Sequence, residues 1–234
     1  MKPGNYAVEL LTEMDFDSAV EFAAAIEIFN ADRKDLDKKI TNEALMQIID
    51  NAEEDRFTSV VYKEDWHKGV IGIVASRLIE KHYRPTLVFT KSGDKLAASA
   101  RSVKGFDVYN ALLACEEFIE QFGGHKYAAG LTLLPENYEK FKAKFEEVVR
   151  SSIPKEFLTP EILIDAEIEL SEITPKFFRI IQQMAPFGPQ NRKPIFKTSA
   201  VRDNGYGKQV GTDKTHLKLN IIAGADSKTY NAIG

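Results

Sequence analysis

The stretch S-A-R-S-V-K-G-F-D at 99–107 and the stretch Q-F-G-G-H-K-Y-A-A-G at 121–130 enclose the segment around which this chain is organised. Arg101 offers a planar, permanently charged fork that suits a phosphate group. Gly123 and Gly124 carry no side chain that would keep a ligand away from the backbone amides, and His125 and Lys126 follow as donors. These residue types predict an anion-binding site.

The segment between the two stretches is predicted to be a helix over 111–122, because its apolar residues repeat at helical spacing. A strand, a helix and a glycine loop in this order bring both ends to one mouth. Each motif on its own has a structural explanation, a solvated strand end for S-A-R-S and a turn for G-G-H. Together they favour a binding site.

Composition and length indicate a soluble globular protein with room for two domains. The chain has 234 residues, of which 44% are hydrophobic and 28% charged. We find no apolar run long enough for a membrane span and no signal peptide at the start. The single cysteine, Cys115, excludes an internal disulfide and is predicted to be buried, which fits a cytoplasmic location.

The net charge of −4 conceals an uneven distribution along the chain. Residues 1–56 carry 14 acidic and 6 basic side chains, whereas residues 191–234 carry 8 basic and 3 acidic ones. A basic C-terminal part is the kind of asymmetry that attracts a phosphate backbone.

The first part of the chain, 1–55, is dominated by one predicted helix. Residues 18–54 contain neither proline nor glycine, and a helix of that length extends over roughly 50 Å. Its middle, A-D-R-K-D-L-D-K-K at 31–39, is highly charged, so we favour a connector between two bodies over a coiled-coil segment.

Residues 56–152 are predicted to form an α/β domain with a mixed sheet. Strands are expected at 57–62, 86–90, 95–100 and 128–134, and helices at 70–81 and 136–151. The strand–helix–strand order at the start of this domain suggests a parallel pair of strands.

After a linker at 151–154, residues 153–234 are predicted to form a small β-barrel of the OB-fold type. The sequence ends within or just after its last expected strand, which leaves open whether this barrel is truncated. Strands are expected at 162–170, 193–202, 216–223 and 228–233, with one helix at 174–184. Tyr206 lies in a glycine-flanked loop among basic residues and is the candidate for stacking on a base.

Metal and nucleophile motifs are absent from the sequence. Four histidines and one cysteine give no zinc-ligand spacing, and no phosphate-binding P-loop, nucleophile elbow or zinc-protease helix motif is present. We therefore predict neither catalytic residues nor metal ligands in this chain.

Several ordered motifs resemble the DHH-associated domain of the RecJ family, which comprises single-strand-specific 5′-to-3′ DNA exonucleases of bacteria. They are W-H-K-G-V-I-G-I-V-A-S-R-L at 66–78 together with the two stretches quoted first. M-A-P-F-G-P-Q-N at 184–191 resembles the entry to the family's OB-fold, so the resemblance covers nearly the whole chain.

The resemblance also implies roles for individual residues. Ser99 and Arg101 match the motif that grips a 5′-terminal phosphate, and Gly124 and His125 match the loop that meets the DNA backbone near the scissile bond. Further candidates for nucleic-acid contact are Ser102, Lys104, Gly123 and Lys126. Residues 1–55 would then be the end of a catalytic domain and its connecting helix.

The family's metal-binding residues belong to a separate N-terminal domain, and the Asp-His-His triplet of that domain is absent from this sequence. The resemblance therefore implies a C-terminal fragment that binds no cofactor itself, is inactive alone, and works with its own catalytic domain, which would hold manganese or magnesium. The implied ligand is single-stranded DNA, and no membrane is involved.

Two alternatives remain open at this point. One is a phosphodiesterase of the DHH family that cleaves small nucleotides such as nanoRNA or cyclic dinucleotides, although a dinucleotide needs no barrel after residue 152. The other is a non-catalytic nucleic-acid-binding module, related to a domain of alanyl-tRNA synthetases, for which a long acidic connector has no evident use.

Overall fold

The computed structural model describes residues 5–212, 214–223 and 228–234. By contacts the chain divides into two compact units, 1–160 and 161–234, which we call unit 1 and unit 2. Each unit is described by itself below.

Unit 1 begins with two helices, α1 (Asn5–Thr12) and α2 (Phe16–Asp50). The side chain of Asp15 caps α2 by accepting a hydrogen bond from the Ser18 amide. Its 35 residues make α2 about 52 Å long, in agreement with the helix predicted over 18–54. Its buried residues all lie in its second half, at Asp37, Ile40, Thr41, Ala44 and Ile48.

A five-stranded mixed sheet forms the centre of unit 1. Its elements are β1 (Ser59–Tyr62), α3 (Ile71–Lys81), β2 (Thr86–Ser92), β3 (Lys95–Arg101), α4 (Val108–Leu113), β4 (Gln121–His125), β5 (Ala128–Leu133) and α5 (Tyr138–Ser152). The strand order is β1-β2-β3-β5-β4. The first pair is parallel, as predicted, and the other three are antiparallel.

The helix predicted over 111–122 is wrong, and so is the glycine loop after it. Helix α4 ends at Leu113, a short 3-10 turn follows at Glu116–Phe118, and Gln121–His125 is the edge strand β4. Strand β4 pairs along its whole length with β5 after a two-residue connection. Glycine has a low intrinsic preference for strands, but pairing with Gly130 and Ala129 of β5 stabilises Gly123 and Gly124 in β4.

Two hydrophobic clusters cover the two faces of this sheet. The larger one joins the strands to α4 and α5 through residues such as Phe89, Phe141 and Phe145. The other joins the sheet to α3 and the second half of α2, and it includes Trp66. Cys115 is buried in the larger cluster, and this burial raises the pKa of its thiol to about 12.

Buried polar contacts tie the end of α2 to the sheet. Arg84 donates to the Ser59 hydroxyl at 2.7 Å and to the carbonyl oxygens of Glu53, Glu54 and Arg56 at 2.6–3.0 Å. Arg77 of α3 binds the fully buried carboxylate of Asp37 at 2.8 Å. The second half of α2 is therefore fixed to α3 and to the sheet.

Unit 2 contains one helix and six strands among its described residues. They are β6 (Ala166–Glu167), α6 (Pro175–Gln183), β7 (Phe196–Lys197), β8 (Val201–Asp203), β9 (Lys208–Val210), β10 (His216–Ala223) and β11 (Lys228–Ile233). Strands β8 to β11 form a four-stranded sheet and β6 pairs with β7. No ladder within the described residues closes these sheets into a barrel.

The strands predicted at 216–223 and 228–233 are confirmed, but two other predictions for unit 2 are wrong in extent. The strand predicted over 162–170 is only two residues long, and the strand predicted over 193–202 is interrupted. The interruption lies at Ala200, whose φ of +54° does not fit an extended strand. Strand β9 had no alternating apolar signal.

Candidate nucleic-acid interface

Three neighbouring strands bring the two ends of the quoted segment together. In the register of β3, β5 and β4, Arg101 pairs with Ala128, and Ala128 pairs with His125. Residues directly opposite one another in antiparallel strands point to the same face of the sheet. Arg101 and His125 therefore share a face, and their Cα atoms lie about 10 Å apart, which is the width of two strand spacings.

The next row along the same face is formed by small residues. Ser99 pairs with Gly130, and Gly130 pairs with Gly123. These rows belong to a cleft of about 370 Å³, which is lined by Lys68, Ile71, Ala97, Ser99, Gln121, Gly123, Gly130 and Thr132, among others. The cleft thus has a floor of small residues. It lies beside the row formed by Arg101, Ala128 and His125, which we call the Arg101 row.

Arg101 is half-buried and lies against the start of helix α3. Its Nη1 donates to the carbonyl oxygen of Ala100 at 2.8 Å, and among the described residues no carboxylate pairs with it. A Cβ built on Gly72, the second residue of α3, would lie 2.9 Å from Nη2 of Arg101 and 3.3 Å from Oγ of Ser99. The guanidinium and the hydroxyl therefore meet at this helix N-terminus.

The two glycines of β4 have different surroundings. A Cβ on Gly123 would meet no atom within 4 Å, so this residue leaves open space in the cleft. Gly124 has a φ of +149°, and a Cβ there would lie 2.4 Å from the carbonyl oxygen of Ala128. Gly124 is thus required by the backbone, whereas Gly123 is not.

His125 and Lys126 lie at the exposed tip of the β4–β5 hairpin. The Nδ1 atom of His125 accepts a hydrogen bond from the Tyr127 amide at 3.3 Å, which leaves Nε2 as the ring nitrogen for a ligand. The ammonium group of Lys126 lies 5.6 Å from the centre of the Tyr127 ring. His125 is the last residue of the row that begins at Arg101, and Lys126 follows it in the hairpin turn.

Ser102 and Lys104 occupy the loop that leaves β3. The hydroxyl of Ser102 donates to the carbonyl oxygen of Phe106 at 3.0 Å and so stabilises the loop itself. Lys104 is exposed, and its backbone amide contacts the Tyr83 hydroxyl at 3.4 Å. Neither residue lines the cleft.

Tyr206 lies in unit 2, in the loop between β8 and β9, and its side chain is 76% exposed. The carboxylate of Asp203 organises this loop by accepting hydrogen bonds from the amides of Gly205, Gly207 and Asn220. Its small burial acts to raise the pKa of Asp203, but these hydrogen bonds outweigh it and lower the pKa. The loop presents the tyrosine ring to solvent.

The sequence had not singled out Lys68 and Gly130, which line the cleft, or Gly72, which lies beside the side chains of Arg101 and Ser99. Each lies inside a quoted motif, and a glycine in the first turn of a predicted helix was a usable signal for Gly72. Three basic residues of unit 2, Arg202, Lys208 and Lys218, also share a face of their sheet. Lys208 pairs with Lys218 and Arg202 pairs with Ile222, and residues 218 and 222 of β10 point to the same side because they are an even number of residues apart.

Within the described ranges, no three His, Cys, Asp or Glu side chains are grouped so that they could hold a metal ion. None of the helices described is long and apolar enough to cross a membrane.

Comparison with known proteins assigns both units to families. Residues 54–151 match the DHHA1 domain, and residues 164–234 match the RecJ OB domain. The single-stranded-DNA-specific exonuclease RecJ of Bacillus subtilis is 34% identical over 218 residues, which are 92% of this chain and 27% of that protein. RecJ of Escherichia coli is 30% identical over 198 residues, which are 81% of this chain and 34% of that protein.

Solved structures agree with this assignment. The crystal structure of Thermus thermophilus RecJ in complex with Mg²⁺ matches with a TM-score of 0.78 and 25% identity, over 93% of this chain and 33% of that one. An exonuclease RecJ bound to manganese matches with a TM-score of 0.56 and 28% identity, over 64% of this chain and 37% of that one. The chain thus spans about a third, or less, of the relatives it matches. It carries a DHHA1 domain followed by a RecJ OB domain, and over most of its length it is homologous to the RecJ single-stranded-DNA-specific exonucleases.

Proposed function

We propose that this chain is the part of a RecJ-like 5′-to-3′ exonuclease that binds single-stranded DNA and recognises its 5′ end, in DNA repair and recombination. Such work is carried out in the cytoplasm of a bacterium. The observation that carries the proposal is the common face of Arg101, Ser99 and His125 beside a cleft with a glycine floor.

The surroundings of Arg101 favour an anion. Its guanidinium lies at the N-terminus of α3, where the helix dipole is positive, and a cation there is electrostatically unfavourable. No carboxylate among the described residues compensates this charge. A terminal phosphate would bind the guanidinium in a bidentate manner, with the Ser99 hydroxyl as a further donor.

The small residues next to this anion site suit the nucleotide that carries the phosphate. Gly123 and Gly130 leave room for a sugar and a base to lie against the sheet. His125, at the other end of the Arg101 row, would contact the next backbone phosphate through Nε2. Lys104 and Lys126 are exposed candidates for contacts with the strand outside the cleft.

Unit 2 has its own features that favour a nucleic acid. Lys208 and Lys218 lie directly opposite each other on β9 and β10, and two like charges in such a pair destabilise the sheet. A polyanion removes this repulsion. The exposed Tyr206 ring offers a stacking surface for a base, so unit 2 would extend the path of the strand.

The proposed protein partner of this chain is its own catalytic domain, which would also hold the metal ions. Relatives carry Mg²⁺ or Mn²⁺ in their crystal structures, and we propose that such ions are held outside the residues of this chain. The apolar residues exposed on α1 and the first half of α2 would contact that domain, namely Val8, Leu11, Phe16, Val20 and Ile28. We expect the chain alone to cleave no DNA, and metal-dependent exonuclease activity of the chain alone would contradict this.

The proposal predicts that Arg101→Ala removes the preference for a 5′-phosphorylated strand. Loss of a charge-assisted contact to phosphate should weaken binding of the phosphorylated strand by about tenfold or more and leave the 5′-hydroxyl strand nearly unaffected. The measurement is the Kd of one 12-nucleotide strand in its 5′-phosphorylated and its 5′-hydroxyl form, each labelled with a fluorophore at the 3′ end.

The matched control is Arg33→Ala, which removes the same charge from the middle of α2, where the half-buried Arg33 side chain donates hydrogen bonds to Asn30 on the same helix. It should bind both strands as the wild type does. Equal wild-type affinity for both ends would contradict the phosphate site. Binding of a dinucleotide as tightly as a strand of about ten nucleotides would instead favour a small-nucleotide enzyme.

A further inference from the structure

The missing side chain of Gly72 makes room for the guanidinium group of Arg101. A Cβ at this position would lie 2.9 Å from Nη2 and 3.7 Å from Cζ of Arg101. Real Cβ atoms do not approach a nitrogen atom so closely, so an alanine here would displace the guanidinium. The space at residue 72 is therefore filled by the Arg101 side chain.

The backbone of α3 does not require a glycine at residue 72. Gly72 is the second residue of α3, and its φ lies outside the positive region that favours glycine. Alanine is the better helix former at such a position. Neighbouring residues of α3 that face the core, such as Ile71 and Val74, carry ordinary apolar side chains.

From this geometry we infer that Gly72 is a positioning residue for 5′-end recognition, which sets the direction of the Arg101 guanidinium by letting it lie against the first turn of α3. The inference rests on the proposed function, since it acts through Arg101. The Ser99 hydroxyl also lies beside this position, since its oxygen is 3.3 Å from where the Cβ of residue 72 would be. A methyl group at residue 72 would separate the guanidinium from the helix N-terminus and from Ser99.

The expected result of Gly72→Ala is a loss of end recognition without a loss of fold. The nearest obstacle is the far end of a flexible side chain, which moves away at little cost, so the melting temperature should stay equal or rise. The preference for the 5′-phosphorylated over the 5′-hydroxyl 12-mer should fall about fivefold or more, because Arg101 no longer meets the phosphate in register. A residue with a merely structural role would move the melting temperature and not this ratio.

The matched control is Ser76→Ala, one turn further along α3. It removes the hydrogen bond from the Ser76 hydroxyl to the Gly72 carbonyl oxygen and adds no atom next to Arg101. The control should keep the full preference. The double variant Gly72→Ala with Arg101→Ala should bind as Arg101→Ala alone, because a positioning residue has no effect without the group it positions.

Each other outcome has a definite meaning. If Arg101→Ala removes the preference and Gly72→Ala keeps it, the inference is overturned and the phosphate site stands. If Arg101→Ala keeps the preference, both fail. If Gly72→Ala lowers the melting temperature, the added Arg101→Ala should restore it, and absence of this rescue would show that the clash lies elsewhere and overturn the inference.

Discussion

Glu146 shows how one carboxylate can hold together parts of unit 1 that are far apart in sequence. It accepts hydrogen bonds from the Thr58 hydroxyl at 2.6 Å, from the Phe57 amide at 3.1 Å and from Arg150 at 2.9 Å. Burial alone would raise the pKa of Glu146, but these hydrogen bonds outweigh it and lower the pKa below the ordinary 4.5. The contact fastens the entry of β1 to α5.

The lowered pKa predicts that the contribution of Glu146 to stability depends on pH. An unfolded chain takes up the proton first, so the stabilisation is complete above pH 4.5 and is lost as the pH falls through the lower folded-state pKa. Glu146→Gln should therefore lower the free energy of unfolding by about 1–3 kcal/mol at pH 7, and by less at pH 3. Urea unfolding over this pH range measures the difference.

The control for this experiment is Glu147→Gln, at an exposed neighbour whose carboxylate pairs with Lys144 on the same helix. It should change the free energy of unfolding by less than about 0.5 kcal/mol at either pH. A difference between wild type and Glu146→Gln that stays constant with pH would disprove the assignment.

Residue chemistry was enough to propose Arg101 and His125 as donors to an anion, and the family resemblance added Ser99 and the terminal phosphate. Sequence could not have indicated Glu146 or Arg84 in the same way. Apart from Arg150 on the same helix, the partners of the Glu146 and Arg84 side chains lie 25 to 89 residues away, and only the folded sheet brings them within hydrogen-bond distance. Gly72 likewise gains its meaning from the side chain of Arg101.

At the scale of elements, we predict different roles for the two glycines of strand β4. Gly124→Ala should lower the free energy of unfolding by about 1–3 kcal/mol, because the residue has a positive φ and its Cβ would lie 2.5 Å from the Cα of Ala129. Gly123→Ala should leave stability within about 0.5 kcal/mol and weaken binding of a single strand by filling the cleft. Urea unfolding and strand affinity, measured on both variants, test this division.

The pair serves as its own control, since each variant adds one methyl group to the same strand. Equal destabilisation by both would show that β4 tolerates a side chain at neither of its two glycine positions. Wild-type affinity in Gly123→Ala would remove the cleft floor from the binding site.

The helix predicted over 111–122 shows where element prediction fails. Its apolar spacing is compatible with a helix, yet the residues Ile119 to Phe122 suit an extended strand as well. What decides between them is β5, which offers a partner with matching register from Gln121 to His125. Helix α2, by contrast, was predictable because its pattern is long and contains no glycine or proline.

At the scale of the molecule, burial is unequally distributed between the two units. Every buried residue among those described lies in unit 1, the last being Ile153. The described strands of unit 2 are mostly two or three residues long, and only β10 and β11 are longer. Unit 2 therefore has fewer tertiary contacts to protect its backbone hydrogen bonds.

This distribution predicts a difference in amide hydrogen exchange within the intact chain. Amides of β10 and β11 should exchange at least about tenfold faster than those of β2 and β3, because local opening of unit 2 exposes little buried apolar surface. Exchange followed by mass spectrometry at neutral pH measures both sets at once. Equal protection in the two units would contradict the prediction, and slower exchange on addition of a 12-nucleotide strand would indicate where DNA binds.

The register of β3, β5 and β4 has a consequence for how chains of this kind can vary. The separation between Arg101 and His125 is determined by hydrogen bonds across one intervening strand and not by the length of residues 102–120, which leave the sheet and return to it. Insertions or deletions in that excursion would leave both groups where they are. The number of residues between the two motifs can thus change while the distance between Arg101 and His125 stays the same.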